Sequence, residues 1–297
     1  DVHIVETPVQ AVLFSKASIF GSVDLEHVNL KQIERNYDDV NTYLISYKHK
    51  QEITNSKFNI IKAGDHVVIQ QFKNISTFIL SAWFDSDVNQ LRFLTSNNSV
   101  TSKNECPASY VELFFDDKRN ISEEDIKLFK QFFTKLMKLK RDTYKNVSKS
   151  IGYYIRALML TAYNINEAYV TLVYSLEHLS SKYNTYDPIW TDYDDKLRKK
   201  LDLLLEGYDK AEEIRTVLLE SAHLKLKHGY VDFVLDNIDK YSMFDASNPH
   251  GLKMKFSDLK ALLKDSYDTR SKFVHTLKEI NKELFIPEIR KADAPII

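Results

Sequence analysis

The sequence predicts an α+β protein, with a β-rich N-terminal domain over residues 1–120 and an all-α helical bundle over residues 121–297. Two observations separate the halves. Before residue 120, short apolar or β-branched runs recur between turn-forming clusters such as Ala63-Gly-Asp65, Asp85-Ser-Asp87 and Ser96-Asn-Asn-Ser99, the pattern of strands joined by loops. After it the apolar spacing changes to threes and fours, and no proline interrupts the chain between Pro107 and Asp187, so long helices are permitted. A third observation bounds both halves. Hydrophobic residues make up 43% and charged residues 28%, with only six Gly and six Pro, which describes packed globular domains and excludes extended disorder.

The strand expectations cover Val9 to Phe20, Thr42 to Tyr47, His66 to Phe72, Thr77 to Phe84, Leu91 to Thr95 and Val111 to Phe115. Together they imply an antiparallel sandwich or half-barrel, with Leu25 to Tyr37 as a short helix. At Asn120-Ile-Ser122-Glu-Glu-Asp125 the pattern switches. Ser122 followed three residues later by Asp125 is a helix N-cap signature, and Ile126, Phe129, Phe133, Leu136 and Leu139 continue with helical spacing.

Gly152 to Tyr163 and Asn166 to Tyr183 are expected as two helices or one kinked helix, and further helices are expected over Lys196 to Leu205, Ala211 to Leu226 and Tyr230 to Ile238, with breaks at Gly207 and Gly229. Asn184 to Asp195, which contains Pro188, and Tyr241 to Met254 are expected as loops. The last long helix is expected over Leu259 to Leu284.

That last helix carries the chemistry. Its apolar stripe runs Leu259, Leu263, Ser266, Arg270, Phe273, Leu277, Ile280 and Leu284, so Arg270 stands where a hydrophobe is called for. A guanidinium cannot shed its charge and is expensive to desolvate, so it needs a carboxylate, a phosphate or another chain within reach. Glu177, directly after the apolar run Ala168 to Leu176, is the expected carboxylate. His275 follows five residues after Arg270 and lies one helical turn beyond Ser271. This helix end therefore offers a fixed cation, a hydroxyl and a group that exchanges protons near neutral pH.

Other site types are missing from the sequence. It lacks GxGxxG, GxxxxGK[ST], HExxH and GxSxG, so nucleotide cradles, zincin sites and nucleophile elbows are not expected. The single cysteine, Cys106, excludes an internal disulfide and a multi-cysteine zinc site. His223 and His228 are spaced to face different sides of a helix, so no metal and no cofactor is expected. A formal net charge of −1 gives no global attraction to nucleic acid. A local patch remains: Lys135, Lys138, Lys140, Arg141, Lys145 and Lys149 face one acid, Asp142, either as a solvated helix surface or as an RNA-binding surface. No apolar run reaches the length of a membrane span and no signal segment opens the chain, so a cytoplasmic protein is expected.

Arg270-Ser271-x-x-Val274-His275 in a last long helix, and Tyr169-Val-Thr-Leu-Val-Tyr-Ser-Leu-Glu177 in an earlier one, resemble the HEPN superfamily, in particular its Apea-like branch. His223 to Val234 has the character of that family's middle helix, whereas Thr276 stands where many members have Gly. The resemblance covers about half the chain. It implies a metal-independent endoribonuclease in which Arg270 binds the phosphate, His275 transfers a proton, Ser271 fills the motif's polar second position and Glu177 orients Arg270. It also implies a homodimer built through the bundle, and a toxin or phage-defence role with a neutralising or trigger protein. The competing expectation is a non-catalytic dimerisation or RNA-binding module in which Arg270 and Glu177 form a structural ion pair.

Overall fold

The computed structural model describes residues 2–33, 40–54, 65–86, 120–161, 163–220, 222–238 and 256–280. The chain divides into two compact units, Asp1–Tyr163 and Asn164–Ile297. Strands and helices are both present, so the class is α+β.

The first unit is built on an antiparallel sheet of order β2-β3-β4-β1-β5, from β1 (Val2–Ser15), β2 (Ser22–Asp24), β3 (Val28–Gln32), β4 (Asn41–Thr54) and β5 (Asp85–Ser86). β1 and β4 pair along their whole length, from Val2↔Thr54 to Ser15↔Asn41. Their side chains alternate between faces, as a two-residue period requires. Ala11, Leu13, Tyr43 and Ile45 enter the main core, while Val12 and Phe14 join Val40 in a small cluster of their own. The Tyr43 hydroxyl donates to the Ala17 carbonyl (2.5 Å) and accepts from the Ile19 amide (3.0 Å), which fixes the connection out of β1.

Two expectations for this half fail. His66 to Phe72 and Thr77 to Phe84 were expected as strands, but Asp65–Leu80 is one helix, α1. Its β-branched residues favour strands only weakly, and a 3.6-residue register lets Phe72 and Ile75 bury together against the core. Phe72 meets the Phe129 and Phe133 rings edge-on, 6.3 and 6.0 Å between centroids. Leu25 to Tyr37 was expected as a helix, yet 28–32 is strand β3, whose pairing with β4 lets Leu30 alternate into the core. The expected strands at Leu91 to Thr95 and Val111 to Phe115, and Cys106, lie outside the described residues.

The capping signature at Ser122 opens α2 (Glu123–Met137) as expected: Ser122 Oγ accepts from the Asp125 amide (3.1 Å) and Asp125 Oδ2 accepts from the Ser122 amide (3.0 Å). α3 (Arg141–Thr161) follows after a break at 138–140. Phe129, Phe133, Leu136, Ile151 and Ile155 all enter the core that covers the sheet. The expected boundary at residue 120 therefore falls inside the first unit, because the apolar faces of α2 and α3 are buried against α1 and the strands.

The second unit is helical: α4 (Ile165–Tyr183), α5 (Asp195–Leu205), α6 (Ala211–Leu219), α7 (Ala222–Asn237) and α8 (Phe256–Thr276). α4 is capped by Asn164, whose side chain accepts from the Asn166 and Glu167 amides. Its core brings Val173 of α4, Tyr230, Val231 and Val234 of α7 and Tyr267 of α8 together. The loop expected over Asn184 to Asp195 is present and holds one short 3-10 turn, Trp190–Asp192. Gly207 ends α5 in a left-handed conformation (φ 70°), as the expected break requires.

Gly229 does not break α7. A Cβ at that position would meet the Asn184 side-chain amide, which would have to shift to admit it. α8 stops at Thr276 rather than Leu284: Thr276 Oγ1 donates back to the Lys272 carbonyl (2.6 Å) and Leu277 turns into the left-handed region (φ 53°). Ile280 is buried off the helix, its amide donating to Asn166 Oδ1 (3.1 Å). Leu284 and the expected loop at Tyr241 to Met254 lie outside the described residues.

Candidate functional site

α8 packs on both α4 and α7, and this packing decides what becomes of Arg270. The stripe places its side chain against α4, where Arg270 is only 8% exposed. There Nη2 forms an ion pair with Glu177 Oε2, whose side chain is 13% exposed. Each partner carries a tyrosine three residues ahead of it, one turn back on the same face. The guanidinium carbon lies 4.7 Å from the Tyr174 ring centroid and 5.0 Å from that of Tyr267, so two aromatic faces cover the cation.

Burial lowers the Arg270 pKa from its ordinary high value, with Tyr174 pulling the other way, and the side chain stays charged at neutral pH. Its buried Nε has no hydrogen-bond partner among the described residues. Burial also raises the Tyr267 phenol, helped by Asp268 and Tyr174. Ser266, the other polar residue on the stripe, is accounted for by hydrogen bonds to the Tyr230 hydroxyl (3.2 Å) and the Leu263 carbonyl (2.8 Å).

Of the expected site residues, the structure brings Arg270 and Glu177 together. Ser271 is half-buried one position on. His275 is exposed in the last turn of α8, and among the described residues nothing bonds to its imidazole. Lys135, Lys138, Lys140, Arg141 and Lys145 are all exposed, in the first unit, as is Lys149, whose ammonium lies 5.8 Å from the Tyr153 ring centroid.

Sequence reasoning missed Tyr174 and Tyr267. Their placement three residues before Glu177 and Arg270 was the available signal, because an arginine on an apolar stripe needs covering as well as pairing. It also missed the partner of His228, which is Asp192 rather than a metal set. Among the described residues no group of His, Cys, Asp and Glu could hold a metal ion, and no helix is long and apolar enough to cross a membrane. The His223 side chain lies outside the described residues.

Comparison with family models, with curated proteins and with solved structures finds no match.

Proposed function

We propose that the second unit is a metal-independent endoribonuclease of the HEPN type, acting in the cytoplasm as a homodimer. The observation that carries this reading is the pairing of Arg270 with Glu177 on a helix whose last turn exposes His275. RNA can be cut without a metal when its 2′-hydroxyl attacks the adjacent phosphate. One proton must leave that hydroxyl, and another must reach the departing 5′-oxygen. The exposed His275 imidazole is placed to serve such a transfer, and the Arg270 guanidinium would have to come out from under Glu177, Tyr174 and Tyr267 to oppose the charge that builds on the phosphate oxygens. Glu177 orients the guanidinium, Ser271 is the polar neighbour, and Lys135, Lys138, Lys140, Arg141 and Lys145 draw RNA to the first unit's surface. A toxin or phage-defence role, held in check by a neutralising or trigger protein, follows from the same resemblance.

A second reading is favoured by the enclosure of Arg270. A cation covered by Glu177, Tyr174 and Tyr267 serves equally to fix the register of α8 on α4 in a non-catalytic dimerisation or RNA-binding module. Incubating the purified chain with total RNA, with and without EDTA, separates the two. Cleavage that survives EDTA and leaves 2′,3′-cyclic phosphate ends supports the nuclease; intact RNA supports the module.

A further inference from the structure

The second unit buries another titratable cluster, which shares no residue with those assigned to RNA. Asp192 closes the 3-10 turn of the loop 184–194. Its Oδ2 accepts from the Tyr186 hydroxyl (2.8 Å) and the Ile189 amide (2.9 Å), and its Oδ1 lies 3.1 Å from His228 Nδ1 on α7. The side chains of His228 and Asp192 are 7% and 11% exposed. The Tyr186 ring lies nearly flat on the imidazole, 6.0 Å between centroids and 16° between planes. At the start of the loop, Asn184 packs onto Gly229, the next residue of α7. Two consecutive positions of α7 thus hold this eleven-residue loop at Asn184 and Asp192, while Trp190 and Tyr193 tie it to α5 and α6 by donating to Asp202 Oδ1 (2.9 Å) and the Leu218 carbonyl (2.6 Å).

We propose that Tyr186, Asp192 and His228 form an acid-released clasp that holds the loop 184–194 on α7. In the closed form the imidazole is neutral and its Nδ1–H donates to Asp192. Protonation adds a charge and a second N–H to a ring enclosed by Tyr186 and α7. The groups acting on that ring are Asp192 and Tyr186 from the loop, Lys227 on α7 and Lys264 on α8. Lys227 is itself paired with Asp268 of α8 (2.6 Å), and Asp232 of α7 acts on Tyr186.

Burial lowers the His228 pKa, Lys264 and Lys227 lower it further, and Asp192 opposes them. The closed clasp therefore binds fewer protons than the open one. Its stability is fully present above the free-histidine pKa of about 6.5 and is lost as pH falls toward the depressed closed-state value. Because one proton is involved, the open fraction rises by at most about tenfold per pH unit in that window. The clasp is independent of whether the unit acts on RNA.

Hydrogen exchange of the full chain between about pH 7.5 and 5, corrected for the intrinsic rate, tests this across the window where histidine titrates. The expected result is a loss of protection in 184–194 below about pH 6.5, with α4 and α7 retaining theirs. In His228→Asn, which keeps an N–H toward Asp192 but cannot be charged, the profile should be flat. The proposal is overturned by a flat parental profile, by an equal loss in the variant, or by a loss spread over the whole unit. Should the variant fail to fold, the His228 C2 proton followed by NMR in the parent decides: a midpoint below about 6.5 supports the clasp, and one at or above it overturns the clasp.

Discussion

The Arg270 guanidinium meets the Glu177 carboxylate between α8 and α4, and Tyr267 and Tyr174, each three residues ahead of one partner, cover the cation. This arrangement changes what a substitution at Arg270 reports. Were Arg270 open to substrate, an enzyme would lose cleavage in Arg270→Ala with its thermal midpoint nearly unchanged. With Arg270 enclosed, the substitution leaves Glu177 buried without its cation, at a cost of about 3–5 kcal/mol. Chemical denaturation should therefore show a large loss in Arg270→Ala and a much smaller one in the double variant R270M/E177L, which removes both charges. Equal losses in the two would show that the pair has no coupled role.

Gly229 gives a cleaner test of the packing. A methyl group there collides with Asn184, so Gly229→Ala should destabilise the second unit by about 1–3 kcal/mol. In an Asn184→Ala background the collision is gone, and the same change should stabilise by up to about 1 kcal/mol, since alanine is the better helix former. A double-mutant cycle on thermal midpoints reads the coupling, and additivity of the two changes would contradict the close approach.

Alkaline stability should depend on Tyr169. Burial, with Tyr230 adding and the Ser266 hydrogen bond opposing, pushes its phenol up to about 12. The folded state thus holds a proton that the unfolded chain releases near pH 10. The resulting stability is fully present below about pH 10 and is lost as pH rises toward about 12. Tyr169→Phe cannot ionise and should show a shallower decline over that range when denaturation midpoints are compared. Identical slopes would mean that Tyr169 does not ionise on unfolding.

Local signals in the sequence were reliable where one residue type has one physical use. Ser122 with Asp125 marks the start of α2, Gly207 the end of α5, and an arginine on the α8 stripe points to a buried carboxylate, which Glu177 supplies. What could not be read was set by packing between elements. Residues 65–80 are rich in β-branched side chains, and the rings they meet, Phe129 and Phe133 at Phe72 and Phe132 and Tyr154 at Phe78, make a helix there the better burial. Gly229 looks like a helix breaker until Asn184 is seen beside it. The boundary at 120 marks a true change of periodicity, but α2 and α3 bury their apolar faces on the preceding α1 and sheet. Of the candidate site, the pair on α8 and α4 was legible from charge on an apolar stripe, whereas the tyrosine cover required the register between the helices.

The proposal to be tested is that His275, which is exposed at the end of α8, moves a proton in RNA cleavage. Substituting an exposed residue leaves the core untouched, so His275→Ala isolates the chemistry in a way that Arg270→Ala does not. The measurement is the RNA cleavage rate of the parent and of His275→Ala in EDTA, with thermal midpoints recorded alongside. The account predicts a fall of at least about 100-fold at an unchanged midpoint. Cleavage by His275→Ala at the parental rate would contradict it.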